Sequence, residues 1–374
     1  MKKLLAMATM GLMLVTFTMP VLAADQKAEV DSLSLGVGAD ETEIYVNWYS
    51  KSADAGTVQW AKESDMSGED FPQVHMEAAA VTAAAANKSG YYSNKAAITG
   101  LEENTRYVYR VGNDGSWSEL YDYDTEKFDG GFSFLRAGDP QIGAGSQASD
   151  QKGWENTLKK AMTQFPESSF LISAGDQVNT NNSESQYTSY LAPEELKSLP
   201  IATNVGNHDT KSNAYSEHFN IPNVDQTTVT AGEFSGDYWY KYDDVLFMSI
   251  NSNDKSTAKH KQFLEDTVAA QGADAKWKVV TFHHSVYSTA SHTQDSDIIQ
   301  RRNELPPVFS DLGIDAVLMG HDHVYTRTYM MNGTNPVKTD NVESQVVNPG
   351  EGEVLYLTAN SASGSKFYSI QNHG

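Results

Sequence analysis

Five polar clusters in this 374-residue chain carry side chains able to hold metal ions. They are Gly138-Asp139-Pro140-Gln141, Gly175-Asp176-Gln177-Val178-Asn179, Gly206-Asn207-His208-Asp209, His283-His284 and Gly320-His321-Asp322-His323. Carboxylates, imidazoles and amide oxygens suit Mn, Fe(II) or Zn. The chain has no cysteine, so thiolate sites are excluded. Alternate residues of an extended segment project to one side, so His321 and His323 can face one ligand. Each cluster alone is a weak signal, since a Gly-Asp pair after a strand is more often a turn. Together they carry more, because six of the ten histidines lie in or just after them.

The elements that must position these clusters are legible as apolar runs. Phe132–Ala137, Ser169–Ala174, Ile201–Val205, Val245–Ile250, Val279–Phe282 and Ile314–Met319 read as buried strands. Trp154, Leu158, Ala161, Met162 and Phe165 fall at helical spacing, as does the stretch Ala258 to Ala270. Strands alternating with helices predict a layered α/β domain, whose ligands bind beyond the carboxyl ends of the strands. All five clusters stand at such ends.

The chain before Phe128-Asp129-Gly130-Gly131 has another pattern. Glu43–Tyr49 and Thr105–Val111 alternate polar and apolar residues between closely spaced turns, as in a β-sandwich. Leu101–Tyr109 resembles the tyrosine corner of a fibronectin type III domain. The Ala-rich stretch Ala78–Ala86 fits a short helix or a loop insertion.

Lys2 and Lys3, an apolar run to Met19, Pro20 and Val21-Leu22-Ala23 read as a cleaved export leader, or alternatively as an uncleaved anchor. The expected location is secreted, with no membrane association after cleavage. The formal net charge of −22 disfavours nucleic acid as a partner. His75, His218, His260 and His373 belong to no cluster and read as surface or core residues.

The order of the clusters resembles the calcineurin-like metallophosphoesterases over Phe132–Tyr329. The preceding sandwich, Val280-Thr281-Phe282-His283 and Gly320-His321-Asp322-His323-Val324-Tyr325 resemble the purple acid phosphatases more narrowly. The resemblance implies an α/β chain: a leader over residues 1–24, a fibronectin type III-like sandwich over 25–128, and a four-layer αββα metallophosphoesterase domain over 129–374. It implies two divalent ions (Mn, Fe or Zn), one on Asp139, Asp176 and His323, the other on Asp176, Asn207, His283 and His321, with Asp176 bridging. His208 matches a position that touches substrate phosphate, and His292 one that stands near the leaving group. His283 stands four residues before Tyr287, which favours it over His284 as the ligand. Two positions depart from the pattern. Asn179 stands where purple acid phosphatases carry a metal-binding tyrosine. Gln141 stands where they carry glycine and the wider family histidine; it either supplies an amide oxygen or hydrogen-bonds a water at the metal. The implied activity is hydrolysis of small phosphate monoesters by hydroxide generated at the metals. A phosphodiesterase or nucleotide hydrolase on the same site, and a non-catalytic surface-binding module, are the alternatives. Only a short Gly/Ser-containing tail follows Val354–Thr358, where the family's sheets need returning strands.

Overall fold

The computed structural model describes residues 28–73, 75–82, 86–113, 116–229, 235–338 and 346–371. The expected leader and His373 lie outside them.

The first part of the chain is a β-sandwich. Its strands are β1 (Asp31–Val37), β2 (Glu43–Ser50), β3 (Thr57–Lys62), β4 (Met76–Ala79), β5 (Val81–Thr82), β6 (Tyr92–Thr99), β7 (Arg106–Asn113), β8 (Ser116–Trp117) and β9 (Tyr121–Asp124). One sheet runs β1-β2-β6-β5 and the facing sheet β4-β3-β7-β8, with β9 on β7. Ile44, Val46 and Trp48 of β2 pack with Val58, Trp60, Tyr107 and Tyr109 between them. The tyrosine-corner hydrogen bond is present: the Glu102 amide donates to the Tyr107 hydroxyl at 2.8 Å. The Ala-rich stretch starts as extended chain in β4 and β5 rather than as a helix, and residues 83–85 fall outside the described set.

The alternation in β2 suggests one solvent face, yet Asn47 and Tyr49 are also buried. A short helix from the second part of the chain covers that face. Asn47 Nδ2 donates to the His218 carbonyl (3.2 Å) and the Tyr49 hydroxyl to Glu217 (2.8 Å).

The second part contributes β10 (Ser133–Ala137), β11 (Ser168–Ser173), β12 (Ile201–Thr203), β13 (Tyr238–Tyr242), β14 (Val245–Ser249), β15 (Trp277–Phe282), β16 (Ala316–Met319), β17 (Thr326–Arg327), β18 (Met330–Asn332), β19 (Asn335–Val337) and β20 (Glu353–Thr358). Its helices are α1 (Gln147–Gln164), α2 (Glu184–Tyr190), α3 (Ala214–His218), α4 (Thr257–Gln271) and α5 (Ser296–Asp311). The strand runs are continuously apolar because both faces of each sheet are covered. In β11, Leu171 points to the α1 and α2 side, while Phe170 and Ile172 face the other sheet. In β14, Leu246 and Met248 meet α4 and α5, while Phe247 faces inward. Phe170 lies parallel to Phe134 and edge-on to Phe247, both with centroids 5.4 Å away. The result is a helix–sheet–sheet–helix stack.

Two features differ from the sequence reading. β1 pairs in parallel with β12, so a single sheet, β10-β11-β12-β1-β2-β6-β5, runs through the sandwich and the α/β layers. Phe165 does not continue the apolar stripe of α1: it follows the last helical residue and is 50% exposed. No strand follows β20 among the described residues. β20 lies between β16 and β18, parallel to the first and antiparallel to the second. Arg136 in β10 donates to the carbonyls of Met319 and Leu357, tying the ends of β10, β16 and β20 together.

Candidate metal centre

The loops that leave β10, β11, β12, β15 and β16 carry the five clusters, and the sheet stack brings them to one end. Five of the clustered residues have left-handed backbone: Asp139 (φ 38°), Gln141 (39°), Asp176 (51°), His321 (73°) and His323 (47°). That conformation is uncommon for residues other than glycine and costs about 1–3 kcal/mol each, so the surrounding contacts must impose it. It turns successive side chains inward within very short loops.

The histidines are oriented through the ring nitrogen that faces away from the centre. His283 Nδ1 donates to the Ala174 carbonyl (2.9 Å), His208 Nδ1 to the Asn179 carbonyl (2.8 Å) and His323 Nδ1 to the Lys366 carbonyl (3.0 Å). Each is left with Nε2 toward the centre, the arrangement that metal-ligating histidines adopt. His283 Nε2 lies 3.0 Å from Asn207 Oδ1, 3.4 Å from Asp176 Oδ1 and 3.2 Å from His321 Nδ1. Asp139 Oδ1 lies 3.8 Å from both His283 Nδ1 and His323 Nε2. The ligand atoms of Asp139, Asp176 and His283 all fall within 4.8 Å of one another. Main-chain amides brace the carboxylates: His321 N donates to Asp139 (2.8 Å) and His208 N to Asp176 (2.9 Å).

His284 is turned away. Its Nδ1 meets Ser252 Oγ at 2.9 Å. Gln141 is buried, its amide nitrogen 3.4 Å from Asn179 Oδ1, and its Oε1 has no hydrogen-bond partner among the described residues. Tyr325 is 67% exposed and does not line the cavity.

Comparison with known proteins gives the family. Residues 132–325, more than half of the chain, match the family model for calcineurin-like phosphoesterase. The chain belongs to the calcineurin-like phosphoesterases, a family of metal-dependent phosphoric ester hydrolases. Residues 30–125 match the N-terminal domain of purple acid phosphatases. Among solved structures, purple acid phosphatase PPD1 from yellow lupin (Lupinus luteus) seeds superposes with a TM-score of 0.73 at 17% identity, covering 93% of this chain and 67% of that one. The structure of PhoD gives 0.62 at 12% identity, covering 92% and 79%. Among curated sequences, an uncharacterized protein of Mycobacterium tuberculosis is 26% identical over 156 residues, 36% of this chain and 28% of the relative. Purple acid phosphatase 17 of Arabidopsis thaliana is 24% identical over 186 residues, 41% of this chain and 52% of the relative. This chain thus matches less than a third of the length of the first relative and about half of the second.

The donor set of the site fits metal ions. Burial pushes Asp139 above the usual carboxylate range, while Asp176, despite the same burial, is held below it by His283 and His208. Burial also keeps His321 well below its ordinary value and pulls His323 down to about 4, so both rings are neutral donors. Burial works against a charge on His283, but Asp176 and Asp139 outweigh it and raise its pKa to about 10. A cation would take the place of that Nε2 proton between the carboxylates and would also satisfy the buried, unpartnered Gln141 oxygen.

The cavity over this set is about 200 Å³ and includes His208, His292, Lys366 and Tyr368 in its wall. Larger hollows of about 590 and 470 Å³ lie around Met330 and Leu355, and neither is lined by a histidine. His292 stacks near His321 (centroids 4.5 Å apart), and its Nδ1 meets Asp295 Oδ2 at 2.8 Å.

Sequence reasoning gave no role to four residues near the site. Asp209 is fully buried and accepts the amides of Gly206 (2.8 Å), Gln177 (3.1 Å) and Val178 (3.4 Å), which locks the Asp176 and Asn207 loops together. It sat inside a recognised cluster, so its acidity was the available signal. Asp295, three residues past His292, was open to the same reading. Lys366 and Tyr368 come from the tail after β20, and nothing in their spacing links them to the clusters.

Proposed function

We propose that this chain is a secreted phosphatase that uses two divalent metal ions to hydrolyse small phosphate monoesters. The observation that carries the reading is the convergence of Asp139, Asp176, Asn207, His283, His321 and His323, with Nε2 of His283, Nε2 of His323 and Nδ1 of His321 turned into the cluster. In this reading Asp139, Asp176, His323 and the Gln141 amide oxygen hold one ion. Asp176, Asn207, His283 and His321 hold the other. When bound, such a pair polarises phosphoryl oxygens and lowers the pKa of a water toward neutrality.

The remaining chemistry falls to the protein. His208, fixed through Nδ1 to the Asn179 carbonyl, directs Nε2 at a phosphoryl oxygen. His292 is the acid for the leaving group: Asp295 accepts from its Nδ1 and fixes the ring, and a proton on Nε2 passes to the departing alkoxide. The export pattern of residues 1–24 supports the secreted location, and no described helix is long and apolar enough to cross a membrane.

The test is metal analysis of the purified protein beside paired assays with a monoester and a diester. Two bound divalent ions and a preference for the monoester are expected. A preference for the diester would move the assignment to a phosphodiesterase, and absence of both metal and turnover would leave a binding module.

A further inference from the structure

The segment after β20 does not end at the sheet. Residues 359–371 cross the mouth of the site and are pinned along their length. Ala359 N donates to Met319 O (2.9 Å), Ala362 N to Gly138 O (2.7 Å) and Gln371 N to Thr289 O (2.7 Å). Ser361 Oγ donates to the Asp139 carbonyl (3.0 Å), and Ser363 and Ser365 to that of Pro140. On the outer side the Ser363 carbonyl lies so close to Gly153 of α1 that a Cβ there would collide with it. The strap is therefore seated on the loop that carries Asp139 at one end and on the loop before His292 at the other.

Its inward residues are Lys366 and Tyr368. The Tyr368 ring packs on His323 (centroids 4.9 Å) and His292 (5.4 Å), with its hydroxyl 3.5 Å from His292 Nε2. Lys366 Nζ lies 4.9 Å from the centre of the Tyr368 ring. The ammonium has no carboxylate partner among the described residues, although the chain has 49 acidic residues against 27 basic ones. Of the residues lining the 200 Å³ cavity, Lys366 alone carries a permanent positive charge.

We infer that Lys366 is the phosphate-recognition residue on the substrate side, held in place by Tyr368, and that it selects dianionic monoesters. The inference rests on the proposed phosphatase reading. A lone ammonium gains more from a phosphoryl group with two charges than from a diester with one. The small cavity points the same way. Pockets that enclose a drug-sized ligand span about 300–1,000 Å³, so this one holds a phosphoryl group and has little room for a second substituent.

The experiment compares the metal-loaded wild type with Lys366→Met, Lys366→Arg and Tyr368→Phe. Binding of inorganic phosphate is read by calorimetry, hydrolysis with p-nitrophenyl phosphate and its bis-ester, and metal content by elemental analysis. Lys366→Met keeps the main-chain carbonyl that orients His323, so metal content should stay at the wild-type value. Its phosphate affinity should fall about tenfold or more, the loss typical of a charge-assisted hydrogen bond. The monoester KM should rise by a similar factor, kcat should move much less, and the diester should be less affected. Lys366→Arg should restore most of the phosphate affinity. Tyr368→Phe keeps the ring beside the ammonium, and a loss of phosphate affinity there as large as in Lys366→Met would assign the contact to the hydroxyl and overturn the inference. Unchanged phosphate affinity in Lys366→Met, or no phosphate binding by the wild type, would overturn the inference. If the wild type binds phosphate and Lys366→Met weakens it while neither ester is hydrolysed, the inference stands and the phosphatase reading fails.

Discussion

Asp209→Asn isolates the anchor that joins two ligand loops without touching a candidate ligand. In the native protein Oδ2 accepts from Gly206 N, and Oδ1 from Gln177 N and Val178 N. The amide is the same shape but turns one oxygen into a donor. Its less costly orientation sets NH₂ against the single Gly206 amide, leaving a buried donor unsatisfied at about 1–3 kcal/mol. The two remaining bonds lose their charge assistance, roughly 1 kcal/mol each. The total is about 3–5 kcal/mol. With an unfolding entropy near 2.1 cal/mol/K per residue, Tm should fall by about 4–6 °C. Burial first, and then the charge of Asp176, push Asp209 well above the usual carboxylate range, and the substitution relieves the repulsion from Asp176. Bound cations already offset it, so the full loss is expected in the metal-loaded protein and a smaller one after chelation. Displaced loops should also lower kcat by about 10–100-fold, since ångström-scale misplacement has that effect. The measurements are thermal unfolding with and without EDTA, beside turnover at saturating metal. A loaded variant with wild-type Tm and wild-type kcat would refute the anchor.

Four further outcomes are expected. Asp176→Asn should reduce the bound metals from two to one or none and abolish turnover; elemental analysis showing two ions with normal activity would rule out a bridging role. His292→Ala should lower kcat by about 10²–10⁴, with a smaller loss for aryl than for alkyl phosphates, and an equal loss would assign His292 a structural part instead. The resemblance puts Asn179 where purple acid phosphatases carry a metal-binding tyrosine, so the iron-loaded protein should lack a strong visible band; a band that disappears in Tyr368→Phe would show that Tyr368 has taken that place. The buried His260 bonds Asp237 (2.7 Å); burial pulls its pKa down, but that bond and the carboxylate's charge outweigh it and leave the value above 6.5. The pair's stabilisation is thus complete below about pH 6.5 and lost as pH rises through the folded value. The slope of Tm against pH above 6.5 should flatten in His260→Gln, and an unchanged slope would show that the pair does not titrate there.

The candidate clusters were legible because metal chemistry restricts residue type and because each cluster follows an apolar run long enough to be a strand. Asp139, Asp176, Asn207, His283, His321 and His323 lie in those clusters, and their proposal as ligands came from the family resemblance; the layered order of strands and helices follows from apolar runs that must be covered on both faces. The preference for His283 over His284 rested on spacing, and the fold supplies its physical basis: β15 ends so that one ring turns to Ala174 and the other to Ser252.

Other features depend on contacts between residues far apart in the chain, which local pattern does not encode. The parallel pairing of β1 with β12 makes one sheet of two sequence patterns, and α3, packed over that sheet, buries Asn47 and Tyr49 on a face that alternation alone assigns to solvent. The left-handed backbone at five clustered residues is imposed by neighbours, since no local preference of aspartate, glutamine or histidine demands it. Tautomers are decided the same way: His323 presents Nε2 because a carbonyl 43 residues later accepts from Nδ1. Residues 359–371 show the division most clearly. Their small, polar composition reads as a tail, and only the surface formed by Gly138–Pro140, Gly153, His323 and Thr289 turns them into a strap that sets Lys366 and Tyr368 over the site. The sequence determined which groups are available for the chemistry, because bonding to metal depends on residue type. Tertiary structure decided which nitrogen, which oxygen and which cation face the substrate, because those depend on distances that exist only once the chain has packed.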